Sequence, residues 1–164
     1  MSTTQLESEI TGFTGVERIY YDTGKLYKEV YKLNGKENGV YRAYRKSGQL
    51  YYEINFIDGI KNGIYKSYWS SGQLWCEVNL IDGKLNGIQK EYFKSGQLKS
   101  EINFIDGNRN GIARTYSESG QLYSEANFID GKENGIARTY YSSGQLQSEV
   151  NMIDGIQQIN KLNK

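Results

Sequence analysis

Histidine and proline are absent from this chain, cysteine occurs once, and no long hydrophobic run interrupts its 164 residues. Each absence excludes something. Without His the commonest general base and metal ligand is missing, and the lone Cys76 has no imidazole to activate it and no second thiol for an internal disulfide. No stretch approaches the ~18 apolar residues of a membrane-spanning helix. The first residues, Met1 to Glu7, lack the basic and apolar regions of a signal peptide. That places the protein in the cytoplasm, or outside the cell if a leader has been removed. Charge of one sign is also missing: 20 Lys and Arg against 19 Asp and Glu leave +1. Such a balance gives no general attraction to nucleic acid or anionic lipid, so any phosphate contact needs a local patch. Apolar residues reach only 37% and mean hydropathy is −0.70. Disorder does not follow, because 15 Tyr and regularly placed Ile, Val and Leu are available for burial.

What is present is a period. Ser-Gly-Gln-Leu begins at Ser47, Ser71, Ser95, Ser119 and Ser143, each 24 residues after the last, and Thr23-Gly24-Lys25-Leu26 is a degenerate earlier copy. Asp-Gly recurs in phase at Asp58, Asp82, Asp106, Asp130 and Asp154, preceded by Asn34-Gly35, and Asn-Gly does so at Asn38, Asn62, Asn86, Asn110 and Asn134. Three markers in phase define a repeat array. It occupies 15–155 in six copies (15–38, 39–62, 63–86, 87–110, 111–134, 135–155), with an N-terminal cap or tail at 1–14 and a C-terminal tail at 156–164.

Aligned copies give constant columns. After each repeat glycine comes a β-branched residue (Val16, Val40, Ile64, Ile88, Ile112, Ile136), then a cation (Arg18, Arg42, Lys66, Lys90, Arg114, Arg138), then a tyrosine (Tyr20 through Tyr140). Beyond the Ser-Gly turn follow Leu26 through Leu146, a carboxylate column from Glu29 to Glu149, and a bulky apolar column of Phe56, Leu80, Phe104, Phe128 and Met152. The segments are too short for ordinary helices. Apolar positions alternate with period two, and Gly after Asp or Asn suits tight hairpin turns. The fold class is therefore all-β: an elongated, single-layer antiparallel meander of six β-hairpin repeats with about twelve strands, roughly 55–60 Å long at ~4.8 Å per strand.

The even period gives every copy the same parity. Parity groups Val40, Arg42, Tyr44, Leu50, Ile54 and Phe56 on one packed face, provided the turn between Tyr44 and Leu50 has an odd number of residues. A two-residue turn would instead set Arg42 opposite Glu53 in a cross-strand ion-pair ladder. The sequence leaves both registers open.

The unit, roughly G-I-x-[KR]-x-Y-x-x-S-G-Q-L-x-x-E-x-x-F-I-D-G-K-x-N, resembles the MORN repeat family, and most of all the bacterial variant of YwqK-like antitoxin proteins. The elements that carry the resemblance are Gly63, Ile64, Tyr68, Gly72, Leu74, Glu77, Asp82, Gly83 and their counterparts across 15–155. It implies an extended all-β meander with an interaction role, and a toxin as one candidate partner. Similar repeats stand beside the catalytic domain of plant phosphatidylinositol phosphate kinases. The chain has no G-x-x-x-x-G-K-[ST], H-R-D or D-F-G element, so no kinase activity follows.

No catalytic residues, metal ligands or cofactor are assigned. A Glu repeated in every copy reads as structural, pairing with the cation column or with turn amides, and the Asp-Gly turns lack the spacing of calcium β-rolls. The cation column is the candidate for phosphate contacts on membrane lipid or phosphoinositide; nucleic acid is not expected. Two variable columns carry aromatics instead: Tyr27, Tyr51, Trp75 and Tyr123 in one, Tyr21, Trp69, Phe93 and Tyr141 in the other. Trp and Tyr bury much area at low entropic cost, so Trp69, Trp75, Tyr51, Tyr27, Phe93, Tyr123 and Tyr141 are the candidate partner-binding residues, with covering of a thin sheet as the alternative role. The expectation is a non-enzymatic protein-interaction module, monomeric or weakly dimeric, with a membrane-associated module as the second reading.

Overall fold

The computed structural model describes residues 12–158, and every regular element in that span is a β-strand. The chain divides into two compact units at Lys84/Leu85. In the first, the main strands are Gly15–Tyr20, Leu26–Leu33, Gly39–Tyr44, Leu50–Ile57, Gly63–Tyr68 and Leu74–Ile81. Each pairs antiparallel with its sequence neighbours, giving an open meander of hairpins. The second unit repeats the plan with Gly87–Tyr92, Leu98–Ile105, Asn108–Tyr116, Leu122–Ile129, Gly135–Tyr140 and Leu146–Ile153.

Three backbone devices recur along the array. Asp58 and Gly59 both have positive φ (50° and 81°) and lie between the paired Ile57 and Ile60, the two-residue I′ hairpin for which Asp-Gly is suited. The Gly59 amide then donates to Glu37 O of the preceding copy, tying successive turns together. At the other end, Gly48 N donates to Arg45 O and Arg45 N to Gln49 O, enclosing a three-residue loop closed by Gly48. The third device corrects an expectation. Asn62-Gly63 is not a turn but an irregularity between two strand segments that run along Leu50–Ile57, where Asn62 N donates to Asn55 O and the chain passes from the short strand Ile60–Lys61 into Gly63–Tyr68. A Cβ on Gly63 would come within 3.3 Å of Asn55 Cβ, at a φ of +107° that L-residues rarely adopt. Asn55 Nδ2 fills the irregularity by donating to Asn62 O, and Asn103 and Asn127 do the same for their copies. This asparagine column is plain in the sequence from Asn55 to Asn151 and had no role assigned to it.

The register takes one feature from each alternative, the odd-residue turn of the first and the Arg42–Glu53 pairing of the second. The loop does have three residues, so Tyr44 faces Leu50, yet Arg42 faces Glu53. The difference is absorbed by a β-bulge that leaves Tyr51 without a partner between Leu50 and Tyr52. One added residue flips everything beyond it to the other side of the sheet. Ile54 and Phe56 therefore share a face with Tyr41 and Ala43, while Val40, Arg42, Tyr44, Leu50, Glu53 and Asn55 share the opposite one. The single packed face expected from parity is thus split between the two sides.

The packed face is the Ile54 side. Val30, Ala43, Ile54, Phe56, Val78 and Leu80 are buried there in the first unit, as are Phe104 and Phe128 in the second. Tyr41 stacks on Tyr52 at 5.7 Å, and Tyr52 reaches Tyr65 at 5.8 Å. The β-branched column, expected in the core, is largely exposed on the ladder side: Ile64 retains 58% of its surface.

Candidate functional site

The bulge explains the first aromatic column. In each copy the residue left without a cross-strand partner is Tyr27, Tyr51, Trp75, Lys99, Tyr123 or Gln147. A bulged position is excused from ladder packing, so its side chain is re-aimed and free to differ between copies. The second column opens the three-residue loop, at Tyr21, Arg45, Trp69, Phe93, Ser117 and Tyr141. Loop and bulge bring the two columns together at the Ser-Gly-Gln-Leu end of each hairpin. Tyr21 lies 5.0 Å from Tyr27, Trp69 lies 5.7 Å from Trp75, and the Arg45 guanidinium sits 4.2 Å from the centre of the Tyr51 ring.

The loop column also stitches copies together. Tyr21 Oη donates to Tyr44 O at 2.7 Å, and Arg45 Nη2 donates to Tyr68 O at 2.7 Å. Tyr27, Tyr51, Tyr123 and Tyr141 are exposed, whereas Trp69, Trp75 and Phe93 are half-buried. In the second unit Tyr123, Tyr140 and Tyr141, with Ser117 and Gln147, line a shallow groove of about 300 Å³. The predicted aromatics thus gather at one edge in each unit, with Trp69 and Trp75 packed on each other.

The cation and carboxylate columns form a ladder on the other face. Arg42 donates through Nε to Glu53 (3.3 Å) and through Nη1 to Glu29 (3.5 Å). Arg18 pairs with Glu29. In the second unit Arg114 bridges Glu101 and Glu125, and Arg138 bridges Glu125 and Glu149. Lys66 and Lys90 occupy the same register, opposite Glu77 and Glu101. A tyrosine completes each junction: Tyr44, Tyr68, Tyr116 and Tyr140 donate to Glu29, Glu53, Glu101 and Glu125. Burial, and then the bond to Glu53, push the Tyr68 phenol up to about 12. The ladder is built to hold copies in register, and its arginines are committed to that.

Burial pushes the Glu125 carboxyl up, but hydrogen bonds from Tyr140, Arg138 and Arg114 outweigh it and hold the pKa below the ordinary carboxylate value. A depressed folded-state pKa gives stability that is present above the unfolded value of about 4.3 and is lost as pH falls through the folded one. Thermal midpoints should therefore be flat from about pH 6 to 8 and fall below about pH 4. Glu125→Gln should cost about 1–2 kcal/mol at pH 7 and shrink that acid-side loss. An acid limb as steep in the variant as in the parent would remove the ladder from the account.

Among the described residues no cluster of three or more Cys, Asp or Glu side chains is placed to hold a metal ion. The geometry of hairpins, bulges and ladder defines a stacked β-repeat protein. The chain belongs to the MORN repeat variant family, whose pattern matches six times, at 13–32, 37–58, 61–82, 85–106, 109–130 and 133–154. No curated protein matches it. Among solved structures it is similar to TarM of S. aureus, at 13% identity over 59% of this chain and 19% of that one, with a TM-score of 0.39. A TarM mutant in complex with fondaparinux, α-GlcNAc-glycerol and UDP matches at 13% identity over 58% and 19%, with a TM-score of 0.40. The chain thus spans about a fifth of the length of those proteins.

Proposed function

We propose that this chain is a non-catalytic module that binds another protein through the aromatic edge at the Ser-Gly-Gln-Leu ends of its hairpins. The observation that carries this reading is the identity of the variable aromatic column with the bulge. The residues on either side of the bulge are paired across the hairpin, whereas the bulge residue is released from pairing and is filled by Tyr or Trp in four of six copies. Large rings presented at an edge supply contact area at little entropic cost. The YwqK-like resemblance makes a toxin, neutralised by occlusion, the first partner to try. The phosphate-binding alternative is less favoured, since Arg18, Arg42, Arg114 and Arg138 are already engaged by carboxylates.

The test is affinity capture followed by titration of each purified candidate against the parent protein and the Trp69→Ala/Trp75→Ala variant. Affinity should fall at least tenfold in the variant and vary little with salt. Undiminished binding that collapses steeply with ionic strength would instead point to the cations.

A further inference from the structure

The face that carries the ion-pair ladder also carries two aliphatic columns, at its Asp-Gly end. In the first unit these are Val16, Val40 and Ile64 in one column and Leu33, Ile57 and Ile81 in the other, and each is 40–58% exposed. Val40 faces Asn55, Ile57 faces Ile60 and Leu33 faces Lys36, so all of them project from the ladder side. Single exposed aliphatics are ordinary on a protein surface; a contiguous strip renewed in every copy is not. The same columns continue in the second unit, as at Ile112 and Ile129, which are also half-exposed. Within a column the spacing is two strands, ~9.6 Å, and the second column is displaced by one strand and by two residues along it, ~7 Å. The apolar points therefore zigzag along the stack. Between Val40 and Ile64 lies an open cleft of about 400 Å³, with Asn55, Ile54 and the side-chain-free Gly63 among its lining residues.

We propose that this strip is the docking surface for one amphipathic α-helix of a partner protein, laid across the strands. A helix carrying apolar residues at heptad spacing repeats every ~10.5 Å, close to two strand spacings, and its a and d positions zigzag as the strip does. Three heptads measure ~31 Å, against ~29 Å for the six strands of one unit. Clefts such as the one above Gly63 accept the knobs. Width selects the helix over flatter partners. A helix about 10 Å across covers the strip and leaves the neighbouring Arg42–Glu53 and Arg42–Glu29 pairs wet. A second copy packed face to face, or a lipid surface, would cover the ladder too and desolvate its charges. The proposal extends the reading of the chain as a binding module but uses the end of the hairpins opposite Trp69 and Trp75, so the two can fail separately.

The probe is a synthetic 21-residue helix, monomeric, with Leu at a and d of three heptads and Lys and Glu elsewhere. Its control has the same composition with Leu scattered around the helix. Both are titrated into the full chain labelled at Ile δ1 methyls and followed by NMR. The heptad peptide should shift Ile64, Ile81, Ile112 and Ile129 and leave Ile19 and Ile102, on the opposite face, unmoved. Ile64→Thr/Ile81→Thr should weaken binding to the first unit at least tenfold, whereas Trp69→Ala/Trp75→Ala should not change it. Four results overturn the proposal: no binding, equal binding of the scattered control, strip methyls that move on dilution of the protein alone, or strip methyls that respond only to phosphatidylcholine–phosphatidylserine vesicles. The third would assign the strip to a second copy and the fourth to a membrane.

Discussion

Ile54→Ala is expected to cost about 3 kcal/mol, and Ile64→Ala less than about 1 kcal/mol. The two substitutions remove the same atoms from adjacent copies, and only the face differs. Ile54 retains 2% of its surface, opposite Tyr41 and on the side where Tyr41 stacks on Tyr52 and packs at a tilt against Phe56. Deleting three carbons there leaves a cavity that stacked rings cannot collapse into, so the cavity cost adds to the lost transfer energy. At Ile64 water already reaches most of the side chain, and only strand propensity and partial burial are forfeited. Urea unfolding of both variants, followed by far-ultraviolet circular dichroism, reads the difference as a shift in midpoint at similar slope. Equal costs, or the reverse order, would mean that the bulge at Tyr51 does not form and that the constant columns face the core after all.

The second large effect lies in the first copy. Glu17→Ala should cost about 3–5 kcal/mol, felt mainly in residues 15–33, because a stacked array transmits stability only between neighbours. Glu17 is buried on the packed face, where it accepts a hydrogen bond from Lys32 at 2.9 Å and has Lys28 Nζ 3.3 Å away. Burial pushes its pKa up, but the Lys32 bond and the Lys28 and Lys32 charges outweigh it and hold the pKa below the ordinary value. Removing the carboxylate strands two ammonium groups against the sheet.

The same cluster can be replaced rather than broken. Glu17, Lys28 and Lys32 occupy the places held one period later by Tyr41, Tyr52 and Phe56, whose rings pack at 5.7 and 5.9 Å. Glu17→Tyr/Lys28→Tyr/Lys32→Phe should therefore recover the parent stability or exceed it, since well-packed apolar groups match or better a buried ion cluster. It should also remove that copy's share of the acid-side loss, which arises as Glu17 protonates below about pH 4. Hydrogen exchange of amides 15–33 at pH 7 and pH 4 measures both. A triple variant as labile as Glu17→Ala would show that the ions do something in the first copy that packing cannot.

The sequence by itself determined the period, the strands and the places of the Asp-Gly and Ser-Gly turns, though not that Asn62-Gly63 joins two strand segments. Those follow from local chemistry: Asp-Gly accepts positive φ at two successive residues, Gly48 closes a short loop, and alternation over five or six residues leaves no room for a helix. It also determined that Ile54, Phe56 and their counterparts are core, because they are the bulkiest apolar residues in a strand with period two. The two aromatic columns were legible as variable positions, and the pairing of Arg42 with Glu53 as one of two registers. What only the tertiary structure decided was how the two strands of a hairpin face each other. Parity is a local property and survives within a strand, but a single bulged residue reverses it for everything beyond. Tyr51 bulges where Arg42 also reaches Glu29 and Tyr68 reaches Glu53, contacts between neighbouring copies that no single hairpin contains. For that reason Val40 and Ile64, constant in character and apolar, lie on the exposed side rather than in the core, and the residues that vary, Tyr41, Ala43 and Tyr65, help to build it.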